Sequence, residues 1–156
     1  GQSNEDMVDL YDALNPLEID GLVCGALRSD YQRTRLERLC HELEIHSFTP
    51  LWHQNAGEHV EQMVQNGFKI IISGVACEGL GEDWLGKELD LFSFEELKSL
   101  SQKYRFNIDG EGGEYETLVV GGPHMNGVIE LEMDKVFDGK RGHIRIRKYT
   151  QKVHVP

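Results

Sequence analysis

A chain of 156 residues has room for one domain or for two small lobes that share a core, and two large domains are excluded. Acidic side chains number 27 against 16 basic ones, so the net charge of −11 argues against wrapping a nucleic-acid backbone by bulk electrostatics. The longest apolar runs are far too short to span a bilayer. We therefore expect a soluble protein with no direct nucleic-acid or membrane contacts.

The spacing of cysteines and histidines bears on disulfides and metal sites. Cys24, Cys40 and Cys77 are odd in number and contain no C-x-x-C pair, which argues against a disulfide framework and against a zinc knuckle. The seven histidines show no metal-ligating spacing, so we expect no structural metal site. A cytoplasmic location fits this composition.

Helical and strand patterns alternate in the first half of the chain. The pattern predicts a helix over residues 3–14, a buried strand over 19–24, a helix over 29–44, a short strand over 46–52, a helix over 56–67 and an apolar strand over 68–76. Ser3 is the expected cap of the first helix, and Ser29 with Gln32 forms a capping-box pattern at the second. Such a succession is typical of parallel α/β architecture.

The character of the chain changes after the apolar strand. A helix over residues 93–104 is predicted, with Ser93 and Glu96 as its capping box. Strands over 117–122, 127–137 and 143–155 follow, with a turn at Asp138-Gly139 before the last one. We therefore predict an α/β fold in which a parallel part precedes an α+β lobe with a strand-rich C-terminus.

The first candidate site is the stretch GALRSDYQRTR over residues 25–35, which opens a predicted helix directly after a strand. Free backbone N–H groups at a helix start attract anions, and the arginines of this stretch add positive charge to an otherwise acidic chain. We expect a phosphate group here, with Asp30 helping to hold a Mg²⁺ ion that bridges phosphate oxygens. The alternative is a helix cap followed by exposed arginines that pair with Glu37.

The second candidate site joins two acidic, glycine-rich loops, CEGLGEDWLGK over residues 77–87 and GEGGEYET over 110–117. Both loops are expected to leave strands at one edge of a parallel-type sheet. A carboxylate held ~4 Å from a phosphate oxygen would cost about 4 kcal/mol at an effective dielectric near 20, so a cation or an amine is the better ligand. Trp84 and Tyr115 would supply aromatic faces for a quaternary ammonium group. Clustered carboxylates also raise one another's proton affinity, so one of them could accept a proton from ammonium.

Simpler interpretations of the same loops remain open. The glutamates are also consistent with a solvated glycine turn, and Trp84 with an ordinary packing residue. Cys77 is read as a small buried apolar side chain, with a nucleophile as the alternative.

Four stretches together carry a family resemblance: GALRSDYQRTRLERLC, PLW, GVACEGLGEDWLGKELD and GEGGEYETLV. In this order and spacing they resemble the diphthine-ammonia ligases, ATP-dependent amidases of the N-type ATP pyrophosphatase group. The resemblance runs from about Val8 to near Lys148. It implies that the parallel part is a partial HUP/Rossmann-like sheet.

The resemblance also implies a reaction and its residues. The family is thought to use ATP to adenylate the carboxylate of diphthine, a trimethylammonium-bearing modified histidine of elongation factor 2, and to let ammonia displace AMP. ATP, Mg²⁺, ammonium and elongation factor 2 are the implied cofactors and partners. Carried onto this sequence, the motifs give candidate catalytic residues (Glu78, Glu111, Glu114), nucleotide-binding residues (Gly25, Ser29, Asp30, Tyr31, Gln32, Arg33) and substrate-binding residues (Trp84, Gly112, Gly113, Tyr115, Glu116, Thr117).

One departure from the family pattern is large, because no S-G-G-K-D-S pyrophosphate loop occurs in this sequence. We therefore expect residues 1–52 to supply the C-terminal part of a nucleotide-binding domain and residues 53–156 a substrate-binding domain, with the chain inactive on its own. Two alternatives stay open: another ATP-dependent amide-forming ligase on the same scaffold, and a non-catalytic module that binds a cation or a protein. Homo-oligomerisation is left open as well.

Overall fold

The computed structural model describes residues 5–153 of the chain, so the predicted cap at Ser3 lies outside the described residues. Two compact units divide the chain, Gly1–Gln54 and Asn55–Pro156, and each is described by itself. The assignment of a nucleotide function to the first and a substrate function to the second stays a prediction. Among the described residues, no helix is both long enough and apolar enough to cross a membrane.

The N-terminal unit contains a small parallel sheet. Its elements are helix α1 (Glu5–Leu14), strand β1 (Gly21–Val23), helix α2 (Asp30–Glu42) and strand β2 (His46–Phe48). The two strands pair in parallel, with Val23 opposite Phe48. Helix α2 begins where Ser29 Oγ accepts a hydrogen bond from the Gln32 amide at 3.3 Å, which is the first half of the predicted capping box.

The prediction of a buried strand over residues 19–24 is wrong. The strand is three residues long, and the side chains of Val23 and Phe48 are 68% and 61% exposed. An apolar run of this length does not reveal by itself whether both of its faces are covered. The described part of this unit has two strands, which leaves their apolar side chains open.

The C-terminal unit is a four-stranded antiparallel sheet that closes on itself and packs against two helices. Its elements are helix α3 (Ala56–Gln65), strand β3 (Lys69–Val75), helix α4 (Leu91–Tyr104) and strands β4 (Tyr115–Gly121), β5 (Gly127–Phe137) and β6 (Gly142–Val153). Strand β3 pairs antiparallel with β4 and with β6, and β5 with β6 form a long hairpin. The mixed α/β class and the strand-rich C-terminus are therefore confirmed, whereas the extension of the parallel pattern to β3 is wrong.

Apolar side chains from β3, α4 and the loop between them form the core of this unit. Ile72, Leu85 and Leu97 have no exposed surface, and Trp84 is 2% exposed. Strand β3 is buried on both faces, so its continuous apolar run resembles that of a strand in a parallel sheet. This resemblance explains why parallel pairing was wrongly predicted for β3.

Helix α4 starts two residues earlier than predicted. Asp90 caps it: its Oδ1 accepts a hydrogen bond from the Ser93 amide, and Ser93 Oγ accepts one from the Asp90 amide, both at 2.8 Å. The predicted box of Ser93 and Glu96 is therefore wrong. Asp and Ser are both good cap residues, and the choice of Asp90 places Phe94 and Leu97 on the core side.

Candidate functional site

The predicted anion site lies at the exposed start of α2. Gly25, Asp30, Tyr31 and Gln32 are exposed, and a side chain added at Gly25 would meet no atom within 4 Å. Ser29 is half-buried because it caps the helix. The stretch is thus open to a ligand.

Arginines next to this helix start contact neighbouring side chains. Arg33 Nε lies 2.6 Å from Glu37 Oε1, and its guanidinium lies 4.7 Å from the centre of the Trp52 ring. Arg35 donates a hydrogen bond to the Tyr31 hydroxyl at 2.8 Å. The pairing of Arg33 with Glu37 is the one expected under the simpler interpretation, so a phosphate here would have to compete with an existing ion pair.

The two glycine-rich loops of the C-terminal unit do lie side by side, for a different reason than predicted. Val75 at the end of β3 pairs with Tyr115 at the start of β4, and the Ala76 amide donates a hydrogen bond to the Glu114 carbonyl at 2.8 Å. The second loop enters its strand instead of leaving one. In an antiparallel pair, the end of one strand meets the beginning of the next, and this brings the loops together.

Glu114 folds back onto its own loop. One carboxylate oxygen accepts hydrogen bonds from the Asn107 amide at 3.0 Å and from Asn107 Nδ2 at 2.9 Å, and the other accepts one from the Gly112 amide at 2.8 Å. Partial burial opposes ionisation, but these hydrogen bonds outweigh it and lower the pKa of Glu114. Glu114 is therefore not a carboxylate whose proton affinity is raised, and the hypothesis that one member of the cluster accepts a proton stays a prediction.

Both predicted aromatic faces are buried. Trp84 is 2% exposed, and Lys87 Nζ lies 4.1 Å from the centre of its ring. Tyr115 is 4% exposed, donates a hydrogen bond from its hydroxyl to the Ile108 carbonyl at 2.5 Å, and has a pKa raised by burial. Neither ring presents an open face to a quaternary ammonium group, and the alternative of a packing residue describes Trp84.

Two adjoining clefts open at this end of the closed sheet. The first, here called the Gly74 cleft, has a volume of 360 Å³, and its lining includes Gly74, Gly113 and Glu116. The second, the Glu78 cleft, has a volume of 680 Å³, and its lining includes Cys77, Glu78 and Lys140. Ala76 and Arg141 line both.

Charges of both signs line the Gly74 cleft, whereas the sequence predicted a receptor for positive charge alone. Glu116 contributes a carboxylate, and Arg141 and His143 contribute basic groups. Asp138 Oδ1 accepts hydrogen bonds from the amides of Lys140 and Arg141, which lower the pKa of Asp138 and build the turn between β5 and β6.

The predicted catalytic carboxylates have different surroundings. Glu78 is exposed and lines the Glu78 cleft, Glu111 is exposed and lines neither cleft, and Glu114 holds the loop. Of the predicted substrate-binding residues, Gly112 and Thr117 are exposed beside Gly113 and Glu116. The pKa of Cys77 is raised by burial and then by the charge of Glu114, so the nucleophile interpretation gains no support.

Sequence reasoning missed the contribution of β6 to this site. Arg141 and His143 follow a turn that the sequence did reveal, but their position beside the glutamate loop depends on the pairing of β6 with β3. No local signal in the sequence reports that pairing.

The described carboxylates are better suited to a metal ion that binds together with a nucleotide than to a metal ion that the protein holds by itself. Within residues 5–153, no group of three or more His, Cys, Asp or Glu side chains is arranged to hold a metal ion. Asp30 is a single exposed carboxylate, and Mg²⁺ is typically bound by one or two carboxylates together with substrate phosphates.

Comparison with known proteins gives matches over both units. Residues 1–47 match the family model of the diphthamide synthase N-terminal domain, and residues 55–152 match that of the diphthamide synthase C-terminal domain. Over 137 residues the chain is 36% identical to diphthine--ammonia ligase from Bos taurus and 35% identical to that from Homo sapiens, which covers 85% of this chain and 51% of each relative. The protein of the same name from Saccharomyces cerevisiae is 32% identical over 147 residues, 83% of this chain and 21% of that relative. The chain thus spans about half the length of the mammalian relatives.

Proposed function

Because this chain belongs to the diphthamide synthase family, we propose that it forms part of an ATP-dependent diphthine-ammonia ligase. In the proposed reaction the diphthine carboxylate attacks ATP, which forms an acyl-adenylate and releases pyrophosphate. Ammonia, formed when ammonium gives up a proton, then attacks the acyl carbon, and AMP leaves to give the amide of diphthamide. The observation that carries this proposal is the identity of 35–36% to named ligases along both units.

In this proposal the start of α2 belongs to the nucleotide site. Gly25, Ser29, Asp30, Tyr31, Gln32 and Arg33 are its proposed contacts. An exposed ion pair such as that of Arg33 with Glu37 contributes at most about 1 kcal/mol, so exchanging Glu37 for a phosphate costs little. ATP would supply the adenylyl group, and Asp30 would contribute one ligand to a Mg²⁺ ion that accompanies the phosphates.

The two clefts of the C-terminal unit are the proposed binding region for diphthine and ammonium. Gly113 and Glu116 line the Gly74 cleft and would contact the substrate there, and Gly112 and Thr117 are exposed next to them. We propose Glu78 and Glu111 as the exposed carboxylates that assist proton transfer from ammonium.

Glu114, Tyr115 and Trp84 would support this region from within. Glu114 and Tyr115 fix the loop by hydrogen bonds, and Trp84 is buried in the same core cluster as Tyr115. Elongation factor 2 is the proposed macromolecular substrate. The cytoplasmic location and homo-oligomerisation stay predictions.

A ligase assay on the full-length protein that contains this chain tests the proposal. We expect ¹⁵N-ammonium to enter elongation factor 2 carrying diphthine only when ATP is present, with one AMP formed for each amide. If the full-length protein incorporates no label into this substrate, the proposed function is wrong. Labelling of a different carboxylic acid would indicate another amide-forming ligase, and tight binding of a quaternary amine without ATP turnover would indicate a binding module.

A further inference from the structure

A row of four residues crosses the closed sheet beside the Gly74 cleft. Gly74 on β3 pairs with Glu116 on β4 and with His143 on β6, and His143 pairs with Val136 on β5. Residues directly opposite each other in antiparallel strands point to the same face. Adjacent strands lie about 4.8 Å apart, so the Glu116 and His143 backbones are roughly 10 Å apart with Gly74 between them. All four residues line the cleft.

Gly74 creates the space between the two polar side chains. Its φ is not positive, so the backbone conformation does not require glycine. A Cβ at this position would lie 3.4 Å from the Cβ and Cγ of Glu116 and 3.5 Å from the Gly142 carbonyl oxygen. An added methyl group would therefore fit without a clash and would fill the floor of the cleft.

The basic side of the cleft is supplied by β6 and the turn before it. Arg141 lines the cleft and, within residues 5–153, takes part in no ion pair shorter than 4.0 Å. Asp138, the nearest acid of the turn, uses one carboxylate oxygen for two backbone amides. Arg141 and His143 therefore face the cleft opposite Glu116.

A ligand that carries only positive or only negative charge would leave some polar side chains of this cleft without an oppositely charged partner. A simple cation would contact Glu116 and be repelled by Arg141, and a simple anion would meet the reverse situation. We propose that the Gly74 cleft binds a zwitterion, with its carboxylate on Arg141 and His143 and its cationic group on Glu116. This inference rests on the proposed function, because it assigns Arg141 and His143 to the diphthine carboxylate that is activated, and Glu116 to the trimethylammonium group.

Binding of small probes to the ¹⁵N-labelled chain tests the assignment by NMR. The probes are glycine betaine, tetramethylammonium and acetate, which carry both charges, the cation only and the anion only. We expect betaine to shift the amide signals of Gly74, Glu116 and His143 and to bind about tenfold more tightly than either single-charge probe, since a charge-assisted contact is gained at each end. Equal affinity for betaine and tetramethylammonium, or no shift at these amides, would overturn the proposal.

Variants separate the two ends of the cleft. Arg141→Gln is expected to weaken betaine binding about tenfold and to strengthen tetramethylammonium binding, because the repulsion between Arg141 and the cation is removed, whereas Glu116→Gln should weaken both. Lys148→Gln is the matched control, because Lys148 is an exposed basic residue on β6 that lines neither cleft. Gly74→Ala should weaken all three probes. If Arg141→Gln and Lys148→Gln behave alike, Arg141 is not the carboxylate ligand.

The full-length enzyme distinguishes failure of this inference from failure of the proposed function. If the full-length protein is an active ligase, Arg141→Gln should raise KM for elongation factor 2 carrying diphthine about tenfold. Arg141→Lys keeps the positive charge but loses the planar, bidentate guanidinium group, so it should raise KM less. Normal KM in Arg141→Gln with intact ligase activity would overturn the inference and retain the function. Betaine binding to a full-length protein that has no ligase activity would retain the inference and overturn the proposed function.

Discussion

Replacing Glu114 by Gln should destabilise the C-terminal unit, because its carboxylate accepts three hydrogen bonds within the loop. A glutamine keeps one acceptor oxygen, which can still serve Asn107, but it places an amide NH₂ against the Gly112 amide. One charge-assisted hydrogen bond is then lost and two others are weakened. Hydrogen bonds to charged groups contribute about 1.5–3 kcal/mol each, so we expect the free energy of unfolding to fall by about 2 kcal/mol.

The effect should depend on pH in a defined direction. The pKa of Glu114 is lowered in the folded chain, so its contribution is complete above the ordinary glutamate pKa of about 4.3 and is lost as the pH falls through the lowered value. Wild type and Glu114→Gln should therefore differ fully at pH 7 and converge in acid.

Urea unfolding followed by tryptophan fluorescence measures this difference. In a Trp52→Phe background the signal comes from Trp84, which lies in the core of the C-terminal unit. Glu111→Gln is the matched control, because Glu111 is exposed in the same loop, and its change should stay within about 0.5 kcal/mol. The reasoning is refuted if the two variants are equally stable, or if the loss in Glu114→Gln persists unchanged at low pH.

Two further variants test local contacts of the same unit. Asp90→Ala removes the cap of α4 and should lower the urea midpoint in the same assay, and an unchanged midpoint would contradict the capping role. Tyr115→Phe leaves the Ile108 carbonyl unpaired and should cost about 1–2 kcal/mol. Burial raises the pKa of Tyr115, so its contribution is complete below the ordinary tyrosine pKa of about 10 and is lost as the pH rises through the raised value. An equal alkaline loss of stability in wild type and Tyr115→Phe would contradict this account.

Short-range signals in the sequence were sufficient for most of the helices and turns. The cap of α2 at Ser29, the turn at Asp138 and the strands β5 and β6 depend on residues that are close together in the chain. Hydrogen bonds over two to four residues form with little regard to the rest of the fold, so local patterns predict them. The choice between Asp90 and Ser93 as a cap was missed, because both side chains suit that position.

The sequence by itself also determined the chemistry available to the site: a glycine-rich loop with glutamates, a basic helix start and the motifs of one family. Only the tertiary structure decided how these groups are used. Trp84 is buried in the core, and the Glu114 carboxylate accepts a hydrogen bond from its own loop. Glu116 and His143 lie on the two strands that flank Gly74. These outcomes depend on strand register between segments far apart in the chain, and a shift of one residue would send each side chain to the opposite face of the sheet.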